Sequence, residues 1–317
     1  MIKKIFKVSS YILVIISFIF IYKSLTSFDK RQLYIFLSYK GLAILFFFSF
    51  LYSLNSFSFA LAWRNLLRIF SAKNIPVKIV FGLYFKSNIA KYLPGNVFHF
   101  AGRHLLIEEK MVSHTQLLLA NLFEIGLLII SSVSLVLIGV LTGLLEIPEV
   151  ILSMISFKYL LGGSIIIFIA GALIFILLFK TKRFEFFSNV LSLFNSGTVK
   201  KLLFSSCLYS IMYITTGIIF YLVIYYLTGS DFSFILLLRV IFIFTLAWVS
   251  GYIVPGAPGG VGIREAILII MMSPYHDQSV IAMASVILRI ITIFGDIFTY
   301  LYTYIKILQQ GYPEESA

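Results

Sequence analysis

Six long apolar runs dominate this chain, near residues 8–22, 42–63, 116–144, 158–179, 202–228 and 278–307. A helix needs about 20 mostly apolar residues to cross the ~30 Å hydrocarbon core of a bilayer. In lipid every backbone N–H and C=O must be satisfied inside the structure, so runs of this kind fold as helices. Composition agrees: 60% of the 317 residues are hydrophobic and 12% charged, against about 45–50% and about 25% in soluble domains. The fold class is therefore all-α, a polytopic membrane protein. It reads as one membrane domain, 1–317, with a first half at 1–156, a second at 157–309 and a disordered tail at 310–317.

Two further regions, 77–108 and 234–274, are apolar but interrupted. The first contains "KYLPGNVFHFAGR" (91–103) and the second "YIVPGAPGGVGIREA" (252–266). Proline removes a helical N–H and clashes with the preceding turn, while glycine admits turns and close backbone approach. Non-helical backbone survives at membrane depth only where protein buries it or where it lines a wet cavity.

Loop charge decides between full crossings and re-entrant hairpins. Arg64, Arg68, Lys73 and Lys78 fill 64–78 without an acid, and 180–201 carries five cations against Glu185. The excess of Lys and Arg assigns both loops to the cytoplasm. Segments 144–157 and 228–234 hold only acids, Glu146, Glu149 and Asp231, and fit the outside. All four loops fall correctly if each broken region returns to its own side; 23–40, with four cations and one acid, is the exception. The expectation is about six full transmembrane helices plus two re-entrant, Pro-Gly-broken hairpins, with both termini cytoplasmic.

A shift of 161 residues overlays the halves: Pro94 falls on Pro255, Gly95 on Gly256 and Arg103 on Arg264. The halves would start on opposite sides, forming an inverted-topology repeat. Transporters built this way place their site where broken helices meet near the midplane.

The formal charge of +12 sits mostly in short loops, where cations set topology and touch anionic headgroups. Nucleic acid is not an expected partner. The basic N-terminus followed by an apolar run resembles a signal peptide without an A-x-A-like cleavage site, and reads as an uncleaved span. The single cysteine, Cys207, excludes an intrachain disulfide, and four scattered histidines make a metal site unfavourable. No G-x-S-x-G, H-E-x-x-H or P-loop pattern occurs, so no catalytic residue and no cofactor are assigned.

The candidate headgroup-binding residues are Arg103, Arg264, His99, Lys91 and Glu265. Arg103 and Arg264 carry forked donors that match phosphate oxygens. His99 and Arg103 are four apart and share a helical face, with Lys91 and His104 flanking them. Arg264 and Glu265 open a helix whose N-terminus favours anions. Pro94, Gly95, Pro255, Gly256, Gly259, Gly260 and Gly262 would shape the cavity. Glu124, Arg289 and Asp296 lie inside apolar runs, where charge is costly and faces a cavity or a partner. Ion pairing between helices and a role in charge relay or gating are both open for them. Arg239 reads as an interfacial residue that snorkels.

These two motifs, and the span pattern over most of the chain, resemble the lysylphosphatidylglycerol synthase membrane-region family of flippase-like integral membrane proteins. The resemblance implies a bacterial or archaeal plasma (inner) membrane protein that handles lipids. In the larger synthases the corresponding region moves an aminoacylated phospholipid across the bilayer, and a separate soluble domain attaches the amino acid. No such domain is recognisable in these 317 residues, so the expected activity is transport rather than lysyl transfer. The resemblance also implies a link to cell-surface glycan or polyprenyl-lipid pathways. The expected function is a translocase for an anionic, aminoacylated or polyprenyl-phosphate lipid. The alternatives are a membrane transferase using His99, Glu265 or Asp296 as acid or base, and a non-catalytic subunit alongside a glycosyltransferase or another envelope-biogenesis partner.

Overall fold

The computed structural model describes residues 34, 36–71, 73–92, 98–107, 111–148, 195–253, 260 and 262–310. The apolar runs at 8–22 and 158–179, most of the loop 23–40, the segment 180–194, Glu149, Pro94, Gly95, Pro255, Gly256, Gly259 and the tail past 310 lie outside the described residues. Within them the chain is helical: α1 (Tyr39–Ser71), α2 (Val77–Asn88), a 3-10 turn (Ile89–Tyr92), α3 (Phe98–Leu106), α4 (His114–Leu141), α5 (Ser196–Thr228), α6 (Phe234–Ile253), α7 (Ile263–Met272) and α8 (Gln278–Gln310). Five are long and apolar enough to cross a membrane: α1, α4, α5, α6 and residues Gln278–Ile305 of α8. Four coincide with the expected runs at 42–63, 116–144, 202–228 and 278–307.

Local signals set the helix ends. Ser113 caps α4 by accepting from the Gln116 N–H, and the Gln116 side chain accepts from the Ser113 N–H. This reciprocal pair satisfies two donors that the helix start leaves over. Asn195 caps α5 through the Thr198 N–H at 2.9 Å, and Gly229, at φ 61°, ends it in the left-handed conformation. Hydroxyls inside the apolar helices are satisfied by their own turns: Ser49 donates to the Leu45 carbonyl and Thr245 to that of Ile241. A serine or threonine can thus face another helix without an orphaned donor.

The long helices α1 and α5 are antiparallel neighbours. Ser38, just before α1, meets the Tyr226 hydroxyl at one end, while Ser205 donates to the Ala62 carbonyl at the other. Small residues let the bundle close. A Cβ on Gly295 of α8 would stand 2.9 Å from the Ser49 carbonyl of α1, and one on Gly217 of α5 would stand 2.9 Å from the Ile241 Cα of α6. Backbones approach this closely in membrane bundles because no lipid-driven force does the work of packing.

Within each interrupted region the two helices are in contact, α2 with α3 and α6 with α7. Their arms differ in reach. At 1.5 Å per residue, the 12 residues of α2 span about 18 Å and fall short of a bilayer, whereas the 20 residues of α6 span about 30 Å and match one. The remaining contacts pair off: α1 packs on α8 as α5 does on α4, α2 on α8 as α6 on α4, α1 on α4 as α5 on α8, and α3 on α4 as α7 on α8.

Candidate functional site

Three charged centres occupy the interior where the short helices α3 and α7 and the 3-10 turn meet the long ones. Each joins an interrupted region to a spanning helix.

The first centre is Arg103 of α3. Its side chain is 1% exposed and that of Glu124, on α4, is 2% exposed. Arg103 Nη1 donates to Glu124 Oε2 and Nη2 donates to Oε1 at 3.2 Å, a forked pair, and Nη1 also reaches Asn121 Oδ1 at 2.8 Å. The Tyr84 hydroxyl donates to Glu124 at 2.9 Å, and the Trp63 indole N–H donates to Asn121 at 3.1 Å. Aromatic faces enclose the guanidinium: Tyr84 at 4.4 Å, Trp63 at 4.6 Å and Phe100 at 5.2 Å from its carbon to each ring centre. Removing both ions from water costs several kcal/mol each, and only near-complete hydrogen bonding offsets it. The hydrogen bonds here supply most of that offset, with two donors, Arg103 Nε and Asn121 Nδ2, left without a partner among the described residues.

The second centre is Asp296 of α8. The Lys91 Nζ lies 2.7 Å from Oδ2, the Tyr92 hydroxyl donates to the same oxygen at 2.5 Å, and the Asn88 amide donates to Oδ1 at 3.0 Å. Tyr52 of α1 lies 3.5 Å from Lys91. One carboxylate therefore collects three donors from the break in the first interrupted region. Gly295 makes this geometry available, since its missing side chain lets α8 press against Tyr52 and the Ser49 backbone.

The third centre is the start of α7. Glu265 is occupied on both sides: Oε2 accepts from the Gly262 N–H at 2.7 Å and Oε1 accepts from Arg289 Nε at 2.6 Å, with an ion pair to Arg289 Nη2 as well. Arg264, next to it, has no carboxylate within ion-pair distance and no hydrogen bond among the described residues. Its stem lies in a cleft without side chains. A Cβ on Gly251 would come within 2.6 Å of Arg264 Cγ, and one on Gly260, at φ +73°, within 2.6 Å of Nε. The guanidinium carbon sits 5.1 Å above the Trp248 ring. Trp248 stacks on Tyr252 at 4.9 Å and 15°, and Tyr213 abuts it edge-on at 5.0 Å. Nε is buried without a partner.

The sequence-derived candidates thus fall into two groups. Arg103 with Glu124, Lys91 with Asp296, and Glu265 with Arg289 form pairs, while Arg264 stands apart. His99 is buried, lies against Phe100 with ring centres 3.9 Å apart, and has no partner for Nδ1 among the described residues. His104 lies beside His114, their Nδ1 atoms 3.1 Å apart. Arg239 reaches the Tyr275 hydroxyl and lies over its ring at 5.4 Å. No group of three or more metal-ligating side chains occurs among the described residues.

Sequence reasoning missed the aromatic half of the site. Tyr84, Tyr92, Tyr52, Trp248 and Tyr252 were indistinguishable from lipid-facing aromatics in a chain with 19 tyrosines. One signal was available: the chain has two tryptophans, and each lies against one of the two arginines that the 161-residue shift superimposes.

Apolar helices of spanning length, packed around ion pairs that would be prohibitive on a lipid-facing surface, define a multi-pass integral membrane protein with a charged interior. The chain belongs to the lysylphosphatidylglycerol synthase TM region family, which it matches over residues 10–298. It matches no curated protein and no solved structure.

Proposed function

We propose that this protein is a lipid translocase, flippase-like in action, that receives an anionic headgroup at Arg264. The observation that carries the reading is the contrast at the start of α7: Glu265 is engaged on both oxygens, while Arg264 lies over an aromatic floor with no counter-ion among the described residues. An interior guanidinium left this way is costly unless an anion or water completes it, and its geometry suits a phosphate. Membership of a family named for a lipid synthase supports lipid as the source of that anion. Acyl chains would lie along the apolar helix faces outside the charged centres.

In the same reading the two interrupted regions are re-entrant hairpins of an inverted repeat. Support comes from the antiparallel α1 and α5, which occupy corresponding places in the two halves, and from the paired helix contacts. The cavity would open between the hairpins, shaped by Pro94, Gly95, Pro255, Gly256, Gly259, Gly260 and Gly262. Arg103, Lys91 and His99 would line its far wall, and Glu124, Arg289 and Asp296 would hold or release the hairpins as the site changes access. The membrane would be the plasma membrane of a bacterium or archaeon, with both termini cytoplasmic.

The test is transport of fluorescent anionic phospholipids by purified protein in liposomes, read by quenching from one side. Wild type should equilibrate the leaflets faster than empty liposomes. Arg264→Ala, at unchanged melting temperature, should lose the acceleration. Full transport by a folded Arg264→Ala protein would refute the assignment.

A further inference from the structure

We infer that Arg264 is the open counterpart of a site that the first half has filled with its own Glu124, and that its ligand therefore presents a single negative charge. The inference rests on the headgroup reading above and narrows its chemistry.

The 161-residue shift carries Arg103 onto Arg264 and Glu124 onto Ser285. Both arginines stand on the short helix after a break, and each such helix packs on the helix that follows it, α3 on α4 and α7 on α8. Each guanidinium lies against a tryptophan, Trp63 of α1 at 4.6 Å and Trp248 of α6 at 5.1 Å, supplied by helices that the shift does not align. The difference is the anion. In the first half the carboxylate of Glu124 closes the fork. In the second half the position aligned by the shift is a serine whose hydroxyl donates into its own helix, to the Ile281 carbonyl at 2.8 Å, and no carboxylate among the described residues closes the fork. The Arg103–Glu124 pair is then a portrait of Arg264 with its ligand: one oxyanion group, bound by a fork, beside an indole.

Charge counting gives the valence. The three centres hold four cations, Lys91, Arg103, Arg264 and Arg289, and three carboxylates, Glu124, Glu265 and Asp296. Among the described residues three pairs form, and one positive charge is left, on Arg264. A phosphodiester or a carboxylate neutralises it. A dianionic phosphomonoester or a diphosphate brings a second negative charge with no cation to meet it, at a cost that a low-dielectric interior makes large.

Ser285 supplies the test. It is buried on α8 one turn before Arg289, on the face that meets α7. In Ser285→Glu the new carboxylate either closes on Arg264 or takes Arg289 and frees Glu265 to turn to its neighbour. Either way the surplus charge is cancelled from within. Ser285→Gln adds the same bulk without the charge.

The measurement is calorimetric binding to the full chain in detergent at pH 8. The probes are dihexanoyl phosphatidylglycerol, a phosphodiester, and dihexanoyl phosphatidic acid, a phosphomonoester that is mostly dianionic at this pH. Wild type should prefer the diester about tenfold or more, the scale of one uncompensated charge in a partly buried site. Ser285→Glu should lose the diester by a similar factor, and Ser285→Gln should keep it. Equal loss in Ser285→Glu and Ser285→Gln would overturn the inference, and so would tighter binding of the monoester by wild type. The two readings fail separately. Diester binding that survives Arg264→Ala refutes the headgroup site itself. Binding that needs Arg264 but ignores both the ligand's valence and the charge at 285 refutes only the internal-mimic inference.

Discussion

A guanidinium keeps its charge at any physiological pH, and the two interior arginines differ in how it is met: Arg103 pairs with Glu124, whereas Arg264 has no carboxylate partner among the described residues. Arg103 is completed by Glu124, Asn121 and three aromatic rings. Glu124→Gln should therefore strand a buried cation and destabilise the protein by about 3–5 kcal/mol, read as a lowered unfolding midpoint in detergent. Replacing both partners, Arg103→Met with Glu124→Leu, should cost clearly less, because no unpaired ion remains. Arg264 is held by what is missing around it. Gly251→Ala would drive a methyl into Cγ of Arg264, an overpacking cost of about 1–3 kcal/mol. Its larger effect should be on binding, since the guanidinium is pushed off Trp248; the check is diester affinity in the variant beside its melting temperature.

At the scale of elements, the charged centres explain why the interrupted regions stay folded. The first region is short helix, 3-10 turn and short helix, and no arm could hold its place by spanning. It is pinned instead by Asn88, Lys91 and Tyr92 on Asp296. Asp296→Asn should remove the ion pair, cost about 3 kcal/mol, and raise amide hydrogen exchange in residues 89–92 more than in α6. A re-entrant course makes a second prediction. On a Cys207→Ser background, Asn74→Cys before α2 and Thr115→Cys at the start of α4 should both react with an impermeant maleimide from the same side of sealed vesicles. Labelling from opposite sides would mean that the region crosses. The second region has a longer arm, α6, whose 20 residues span about 30 Å, the thickness of a bilayer core.

For the whole molecule, the sequence alone determined that this is a helical membrane protein. Four apolar runs became spanning helices at the expected places because lipid leaves the backbone no other way to satisfy its hydrogen bonds. It also marked the two interrupted regions, and a 161-residue shift aligns Arg103 with Arg264, since spacing is a property of the chain. The family followed from the two broken motifs, and the match over residues 10–298 agrees. Partnership was decided only in the tertiary structure. Glu124 might have served Arg103 or a relay, and Arg289 shares a helix with Asp296 yet pairs with Glu265 of another. Which cation meets which carboxylate depends on helix rotation and on close approaches such as Gly295 against α1, quantities that hydropathy does not encode. The same packing sets Trp63 and Trp248 beside the arginines while most other aromatics face outward or into the apolar core. It leaves one cation of four without a carboxylate, because an ion pair is a matter of a few ångströms in space and the residues that make it stand 21 to 205 positions apart in the chain.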